Sequence, residues 1–451
     1  MNQAITATTT TTDHIWDLAE TLPRPQLEAL QLQRLRACVA RVAEVPFYRK
    51  ALAASGVGPD SIRSLGDLRK LPLTTKADLR DNYPLGFLAV PRERIVRLHG
   101  SSGTTGKPTF VAYTAADRAL WADMCARFLS AGGLRPGQLC HIAFGYGLFT
   151  GGFGLHYGVE RVGAAVVPVA SGNTRRQVMI LRDLKPDVLI CTPSYALNIA
   201  EVAHQEGMDG RSLGLSAGHF GGEPWTEEMR LRIESDLGIQ AFNNYGLSEV
   251  IGPGVSGECG ARTGMHIQED HFLVECLDPQ TLAPVPDGQV GELVFTTVTK
   301  EAMPLIRYRT RDLACLTHEP CSCGRTTVRM SRVVGRSDDM LIIRGVNVFP
   351  SQIEEALLRV EGTLPHFLIE VDRPGTLDEV TVRVEIRPGN FSDEMRKMQA
   401  LREKIDREIA GVTGIRMKVE LVAPQTLTRF EGKAVRVLDR RKLNVPNQPR
   451  P

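Results

Sequence analysis

The 451-residue chain lacks a long apolar run, a strong charge of either sign and the marks of an exported protein. No hydrophobic stretch approaches the ~20 residues that a membrane-spanning helix needs. The formal net charge is only +2, so neither nucleic acid nor a membrane is expected as a partner. Residues 1–13 are rich in threonine and carry neither a basic start nor an apolar centre. We therefore expect a disordered tail over residues 1–14 rather than a signal peptide.

The chain also lacks a disulfide pattern. Its nine cysteines are an odd number and lie scattered along the sequence. Small secreted proteins place an even number of cysteines at short spacings, whereas scattered thiols are typical of a reducing compartment. We expect a cytoplasmic protein.

The composition, with 42% hydrophobic and 24% charged residues, is that of a globular protein large enough for two or three domains. Short apolar runs at residues 163–169 and 187–191 predict buried strands, and residues 173–183 and 226–237 predict helices between or after them. This alternation predicts an α/β fold with a parallel sheet covered by helices on both faces.

Further along the chain, residues 290–297 and 305–316 predict the strands of a more β-rich region. A Gly-Arg-Ser-Asp-Asp turn at residues 335–339 then predicts a domain boundary. We expect a large N-terminal domain over residues 15–335 with parallel or mixed sheets, and a small α+β domain over residues 336–451.

The most informative stretch is residues 100–109, which hold three glycines, several hydroxyl residues and one lysine. Glycine allows the backbone to approach a ligand closely, and hydroxyls, N–H groups and a lysine can surround a phosphate chain. The stretch is not the mononucleotide P-loop, since Ser101 stands where that motif has its first glycine. The alternative is a flexible surface linker. The candidate phosphate-binding residues are Ser101, Ser102, Gly103, Thr104, Thr105, Gly106 and Lys107.

Two further motifs could complete a nucleotide site. In Tyr-Gly-Leu-Ser-Glu at residues 245–249, the ring could stack on a base and the carboxylate could hold Mg²⁺, which prefers oxygen ligands. In Tyr-Arg-Thr-Arg-Asp at residues 308–312, the carboxylate could accept ribose hydroxyls. Each is ambiguous alone: the first could be a buried tyrosine beside a solvated glutamate, and the second a surface ion pair.

Taken in order, these motifs resemble the adenylate-forming acyl-CoA synthetases. Residues 144–152, 223–226 and 336–352 look more narrowly like phenylacetate–CoA ligases, and the resemblance spans roughly residues 30–440. It implies that ATP-Mg²⁺ and a carboxylic acid bind between a large and a small domain. The acid would attack the α-phosphate to give acyl-AMP, the small domain would rotate, and coenzyme A would then attack the acyl-AMP.

The resemblance also implies roles for single residues. Lys433 would reach the acyl and α-phosphate oxygens in the first half-reaction, with Glu249 holding magnesium and Ser248 beside it; the alternative for Lys433 is a solvated surface lysine. Asp338 would be the hinge. The other residues implied at the nucleotide are Gly222, Glu223, Pro224, Asn244, Tyr245, Gly246, Asp312 and Arg336.

A separate set of residues predicts a metal site. Cys321 and Cys323 form a tight pair, and Cys259 and His266 lie about 55 residues earlier. Three thiolates and one imidazole make a closed tetrahedral zinc site of the structural type. The alternative is separate reduced thiols. Other candidate ligands nearby are His271, Cys276, Cys315 and His318.

The acid itself is the least determined part. The aromatic segment with Tyr146, Phe149 and Gly151 predicts a pocket for a planar ring. His219 and the asparagine pair at 243–244 depart from the phenylacetate pattern, and a buried polar group needs a partner. We therefore expect a substituted benzoate such as anthranilate or a hydroxybenzoate, with phenylacetate as the alternative. His219 could instead bond to backbone. The candidate acyl-contacting residues are Tyr146, Phe149, Gly151, His219, Phe220 and Gly221.

The sequence thus predicts an aryl-CoA ligase whose partners are a small aromatic acid, ATP and coenzyme A, with a homodimer left open. Two other functions remain: an adenylating enzyme that loads a carrier protein, and a zinc-stiffened nucleotide-binding regulator. Lys433 argues against the regulator, because a sensor does not need a group used only in the chemical step.

Overall fold

The computed structural model describes residues 15–101, 108–344, 346–373, 378–387, 395–429 and 435–443. The α-helices of these residues are α1 (Arg24–Val42), α2 (Pro46–Ser55), α3 (Lys76–Asp81), α4 (Ala115–Ala131), α5 (Gly151–Val162), α6 (Thr174–Leu184), α7 (Pro193–Gln205), α8 (Glu227–Leu237), α9 (Pro350–Leu358) and α10 (Met395–Thr413).

The first strands are β1 (Ile95–Ser101), β2 (Thr109–Thr114), β3 (Leu139–Ile142), β4 (Ala165–Pro168), β5 (Val188–Cys191), β6 (Ala217–Phe220), β7 (Gln240–Leu247), β8 (Gly252–Glu258), β9 (Met265–Ile267) and β10 (Phe272–Leu277). The later strands are β11 (Gly291–Thr297), β12 (Tyr308–Ala314), β13 (Leu316–Thr317), β14 (Arg329–Met330), β15 (Gly335–Arg336), β16 (Leu341–Ile343), β17 (Val346–Val348), β18 (Thr363–Asp372), β19 (Glu379–Ile386), β20 (Lys418–Val422) and β21 (Val437–Asp439).

A nine-stranded sheet in the order β13-β14-β9-β8-β7-β6-β5-β3-β4 forms the centre of the large domain. Its strands from β4 to β7 are parallel, and from β7 onward neighbouring strands are antiparallel. The predicted parallel sheet is therefore one half of a mixed sheet. Crossover helices such as α6, α7 and α8 join the parallel strands, as such connections require.

The predicted elements correspond to observed ones within a few residues. The strand predicted at 163–169 is β4, and the helix predicted at 226–237 is α8. The prediction that β4 is buried is wrong. This strand lies at the edge of the sheet with β3 as its partner, and Ala165 and Pro168 are exposed. An edge position also explains why a strand can hold a proline, which donates no ladder hydrogen bond.

Local signals in the sequence set the helix ends. Thr114 precedes α4, and its hydroxyl accepts a hydrogen bond from the Asp117 N–H while the Asp117 carboxylate accepts one from the Thr114 N–H. The same buried carboxylate accepts the N–H groups of Glu301 and Ala302. One acid therefore caps a helix and fastens it to the segment that leads into β12.

The described residues form three apolar cores. Two belong to the large domain: one includes Trp121 and Phe295, and the other packs α7 and α8 against β5 and β6. A third core fills the small domain, where α9 and α10 cover a sheet in the order β20-β19-β18-β21. No helix in the described part of the chain has both the length and the hydrophobicity to cross a bilayer.

Candidate active site

A cavity of about 630 Å³ opens at the carboxyl ends of the parallel strands. Phe144 follows β3, Thr192 follows β5 and Gly222 follows β6, and each lines this cavity. Loops after parallel strands meet at one edge of the sheet, where α/β folds bind their ligands. The fold thus brings together motifs that are up to about 240 residues apart in the sequence, from Ser101 to Arg336.

Glu249 is the acid that the sequence assigned to magnesium, and it is buried at the cavity. Its Oε1 accepts a hydrogen bond from Ser101 Oγ at 3.0 Å and lies 3.1 Å from Lys76 Nζ. Burial alone would raise the pKa of Glu249, but the charge of Lys76 and these hydrogen bonds outweigh it and lower the pKa. The carboxylate is therefore ionised and suited to bind a cation.

Asp312 is the centre of the second cluster. Its Oδ2 accepts a hydrogen bond from the Tyr245 hydroxyl at 2.6 Å, and its Oδ1 accepts one from Arg336 Nη1 at 3.0 Å. One face of the Tyr245 ring packs near Phe295, with 6.1 Å between ring centroids. Arg336 also donates to Asp338 at 2.9 Å. The cavity thus presents a tyrosine ring, an acid and an arginine close to the predicted hinge.

Three residues that the resemblance implies at the nucleotide form part of the cavity wall. Gly222, Glu223 and Pro224 line the cavity, and Glu223 Oε1 accepts the N–H of Ser194 at the start of α7, 2.8 Å away. Gly222 has a φ of 83°, a left-handed conformation that glycine adopts without strain. The turn that leads from β6 into the cavity wall therefore favours glycine at this position.

Three more predicted residues lie at or behind this wall. Ser248 lines the cavity, and its hydroxyl is 2.9 Å from that of Thr150. Asn244 and Gly246 also line it, and the Asn244 amide donates to the Phe220 carbonyl at 2.8 Å. A Cβ added to Gly246 would come within 2.0 Å of the Gly252 carbonyl oxygen, so only glycine fits where β7 meets β8.

The residues predicted at the acyl group divide into two sets. Phe149 and Gly151 line the cavity. The structure places the others outside its lining. The Tyr146 hydroxyl is 3.2 Å from His156 Nδ1 instead. A Cβ on Gly221 would meet the Asn244 carbonyl oxygen at 2.4 Å, and Phe220 packs edge-on against Trp225. Gly221 and Phe220 therefore support the wall from behind.

The contact predicted between His219 and the acid does not fit the structure. His219 is only 1% exposed and is not among the residues lining the cavity. Its ring stacks on Phe242 at 5.4 Å and meets Phe128 edge-on at 6.0 Å, and within the described residues neither ring nitrogen has a hydrogen-bond partner. Burial lowers its pKa to about 3. The neutral ring fills an aromatic slot, so the alternative of a backbone hydrogen bond is wrong as well.

Some predicted residues lie outside the described part of the chain. They are Ser102, Gly103, Thr104, Thr105, Gly106, Lys107 and Lys433. Ser101, the first of the candidate phosphate-binding residues, ends β1 and lies at the cavity.

The four predicted metal ligands come together, and none of them lines the cavity. The donor atoms of Cys259, His266, Cys321 and Cys323 all lie within 4.8 Å of one another. Cys259 Sγ is 3.7 Å from Cys321 Sγ, and Cys323 Sγ is 3.4 Å from His266 Nε2. His266 Nδ1 is 3.1 Å from the Thr327 hydroxyl, so its other nitrogen is directed at the thiols. Three thiols and one oriented imidazole fit a tetrahedral zinc ion.

Two lysines at the site were missed. Lys76 is the first residue of α3 and pairs with Glu249. The two residues are about 170 positions apart, and no local pattern in the sequence indicates that they are neighbours. Lys300 is fully buried and donates to the Val250 carbonyl at 2.9 Å, with its ammonium 5.0 Å from the centre of the Tyr113 ring. Burial lowers the pKa of Lys300 to about 8. This lysine holds the backbone that presents Glu249.

The comparisons with known proteins agree with this geometry. Residues 67–299 match the family model of the AMP-binding enzymes, and residues 345–441 match that of the AMP-binding enzyme C-terminal domain. A phenylacetate–coenzyme A ligase of Thermus thermophilus is 53% identical over 94% of this chain and 98% of its own length. The chain belongs to the phenylacetate–CoA ligase-like adenylate-forming enzymes. It is an AMP-forming acid–thiol ligase.

Other relatives extend the comparison. A phenylacetate–coenzyme A ligase of Escherichia coli is 50% identical over 95% of this chain and 98% of its own length, whereas a benzoate–CoA ligase of Thauera aromatica is 25% identical over 87% of this chain and 72% of its own. The crystal structure of 2-hydroxyisobutyryl-CoA ligase in its postadenylation state is 32% identical, covers 98% of this chain and 95% of that one, and superposes with a TM-score of 0.91. The same ligase in its thioesterification state gives 0.70, with 33% identity over 94% of this chain and 92% of that one.

Proposed function

We propose that this enzyme converts phenylacetate, ATP and coenzyme A into phenylacetyl-CoA, AMP and pyrophosphate. The observation that carries the proposal is the identity of about half of all residues, over nearly the full length of both chains, with ligases named for phenylacetate. The prediction of a substituted benzoate depended mainly on His219, and this side chain does not line the cavity. The phenylacetate alternative therefore replaces it.

The cavity wall built from residues 143–155 suits an unsubstituted ring. Phe144, Leu148, Phe149 and Leu155 contribute apolar side chains to it. An apolar wall binds an aromatic ring by excluding water, and it offers no charged partner to an amino or hydroxyl group. Phenylacetate presents only its carboxylate as a polar group.

The opposite parts of the cavity would hold the nucleotide. Asp312 would accept the ribose hydroxyls, Tyr245 would lie against the adenine, and Arg336 would orient Asp312 through its hydrogen bond. Glu249 and Ser101 would bind Mg²⁺ on the triphosphate, with Lys76 displaced from Glu249 towards the phosphates. Bound Mg²⁺ would neutralise phosphate charge, which is the main barrier when a carboxylate approaches a polyphosphate.

The reaction would proceed in two displacements. A carboxylate oxygen of the acid attacks the α-phosphorus, and the bond to the β-phosphate oxygen breaks to release pyrophosphate. Lys433 would neutralise the charge that develops on the α-phosphate in this step. The thiolate of coenzyme A then attacks the acyl carbonyl carbon, and AMP leaves with the electrons of the acyl–oxygen bond.

The two steps would use two orientations of the small domain, turning near Asp338. The TM-score of 0.91 with a postadenylation state, against 0.70 with a thioesterification state of the same ligase, supports assigning this structure to the first orientation. Both comparisons cover more than nine tenths of this chain, so the difference reflects the arrangement of matched parts rather than missing ones.

We also propose that Cys259, His266, Cys321 and Cys323 bind one structural zinc ion. The four donors leave no position for a water molecule, which a catalytic zinc would need. The cluster joins the end of β8, strand β9 and the turn before β14.

A panel of acids tests the proposed function. Purified enzyme is given ATP-Mg²⁺ and phenylacetate, benzoate, anthranilate or 4-hydroxybenzoate, and pyrophosphate release and thioester formation are measured with and without coenzyme A. We expect phenylacetate to have the highest kcat/KM and coenzyme A to be converted into thioester. A preference for anthranilate or 4-hydroxybenzoate would restore the original prediction. Pyrophosphate release without any coenzyme A thioester would favour the loading of a carrier protein.

A further inference from the structure

Glu201 connects the two domains. It lies on α7 of the large domain, and its Oε2 accepts a hydrogen bond from Nε2 of His366 on β18 at 2.9 Å. Its Oε1 accepts one from Arg429 Nη2 at 3.2 Å. Both partners belong to the small domain and lie 165 and 228 residues further along the chain. One carboxylate thus binds two side chains across the domain interface.

Arg429 is already fixed within the small domain. The Glu385 carboxylate, which is fully buried on β19, accepts one hydrogen bond from each terminal nitrogen of Arg429 at 2.8 Å. It also accepts the N–H groups of Gln425 and Leu427. These bonds lie inside one domain and do not depend on its orientation. Arg429 is therefore already oriented as a hydrogen-bond donor when the large domain brings Glu201 opposite it.

Glu201 is ionised in this arrangement. Partial burial would raise its pKa, but the hydrogen bond and charge of His366 and the charge of Arg429 outweigh that effect and lower the pKa. Its side chain keeps 21% of its exposure, as does that of Arg429. Ion pairs that water still reaches are weak enough to break during a domain movement.

We propose that Glu201 is a positioning residue for acyl-AMP formation, holding the small domain in the adenylating orientation through His366 and Arg429. This inference rests on the proposed two-step function. Arg429 precedes Lys433 by four residues in the sequence, so a contact that holds Arg429 acts on the part of the small domain to which this lysine belongs. The contact must break when the small domain turns to form the thioester.

Other contacts keep the domains together without Glu201. Leu358 of α9 packs on the core formed by α7 and α8, and Arg359 donates to Glu228 of α8 at 3.2 Å. Glu201→Gln should therefore fold and keep an assembled interface. The substitution removes one charge and changes the preference between the two domain orientations. Its effect on orientation can therefore be measured without a loss of folding stability.

The test measures the half-reactions separately in single turnovers. Acyl-AMP formation is followed with ATP-Mg²⁺ and phenylacetate alone, and thioester formation with pre-formed phenylacetyl-AMP and coenzyme A. For Glu201→Gln we expect a loss of about 3–30-fold in the first step, as for the weakening of two ion pairs that water still reaches. The second step should be unchanged or faster. Glu206→Gln is the matched control, because Glu206 directly follows α7 and pairs with Arg175 in the same domain.

Hydrogen exchange gives a readout that needs no activity. In the ligand-free protein, peptides covering residues 196–205 and 363–371 should exchange faster in Glu201→Gln than in the wild type or Glu206→Gln. Unchanged exchange with unchanged acyl-AMP formation overturns the proposal, and so does an equal loss in both half-reactions. If the proposed function is wrong, the wild type releases no pyrophosphate with phenylacetate. The hydrogen-exchange comparison still tests the Glu201 contact in that case.

Discussion

At the residue scale, the role of Asp312 is ambiguous in the sequence and is decided by its neighbours in the structure. The sequence leaves it open as a surface ion pair with an adjacent arginine. In the structure its partner is Arg336 rather than Arg311, and its second oxygen faces Tyr245. Two donors orient this buried carboxylate for a ligand hydroxyl.

Asp312→Asn should weaken ATP binding more than it disturbs the fold. A hydrogen bond to a charged acceptor contributes ~1.5–3 kcal/mol, so the KM for ATP should rise by about 10-fold or more. The control is the substrate: wild-type enzyme should lose affinity for 2′-deoxy-ATP, whereas Asp312→Asn should distinguish ATP from 2′-deoxy-ATP less well. Equal discrimination by both enzymes would show that Asp312 does not bind the ribose.

His219 leads to a prediction about stability and pH. Its folded-state pKa of about 3 lies below the ordinary value of 6.5, so the unfolded chain binds this proton more readily. The neutral ring is fully compatible with the fold above pH 6.5, and stability is lost as the pH falls below that value towards 3. The loss is limited to about 1.4 kcal/mol per pH unit.

Denaturant unfolding of wild type and His219→Leu between pH 7.5 and pH 5 checks this. Between pH 7.5 and pH 5 the free energy of unfolding should fall by about 2 kcal/mol more in the wild type than in His219→Leu. The preference among aromatic acids should stay unchanged. A change in the preferred acid in His219→Leu would show that His219 contacts the substrate.

At the scale of elements, the cysteine cluster joins segments whose strands pair only over a short ladder. Cys259 follows β8, His266 lies within β9, and Cys321 and Cys323 stand in the turn before β14. The short pairing between β9 and β14 contains two residues of each strand. A bound metal would supply the cohesion that so short a ladder lacks.

Elemental analysis should find one zinc ion per chain after purification without chelator. Cys321→Ser should then lower the melting temperature by roughly 2–3 °C, since 1–2 kcal/mol shifts a domain of this size by about that much. Turnover at 25 °C should change much less. Cys315→Ser is the control, because Cys315 is a nearby thiol outside the cluster. A zinc-free wild type, or a stable Cys321→Ser without activity, would contradict a structural zinc.

At the scale of the whole molecule, the two-domain arrangement predicts that one lysine matters in only one half-reaction. Lys433→Ala should reduce acyl-AMP formation by about 100-fold or more, the range seen when a group that stabilises transition-state charge is removed. Thioester formation from pre-formed phenylacetyl-AMP should survive. Single-turnover measurements of both steps check this, and equal losses would contradict an exchange of orientations.

Together with Glu201→Gln, this variant distinguishes chemistry from orientation. Lys433→Ala removes the charge itself, whereas Glu201→Gln leaves it in the protein and changes how often the small domain holds it in place. The double variant should be no slower in acyl-AMP formation than Lys433→Ala alone, because orientation has little value once the lysine is gone.

The sequence by itself determined the class of enzyme, several of the elements and the four residues of the cysteine–histidine cluster. Strand and helix periodicity depends on local chemistry, so β5, α6 and α8 could be predicted within a few residues. Motif residues such as Glu249, Asp312 and Cys321 could be named because each chemistry requires particular side chains.

Only the tertiary structure decided which residues face the cavity. An apolar strand such as β6 has two faces, and the sequence does not show that His219 lies in the aromatic core rather than at the ligand. Lys76, Lys300 and Glu201 act on partners between about 50 and 230 residues away, and such pairings exist only once the sheets and domains have packed. Long-range neighbours follow from topology, which no local pattern in the chain records.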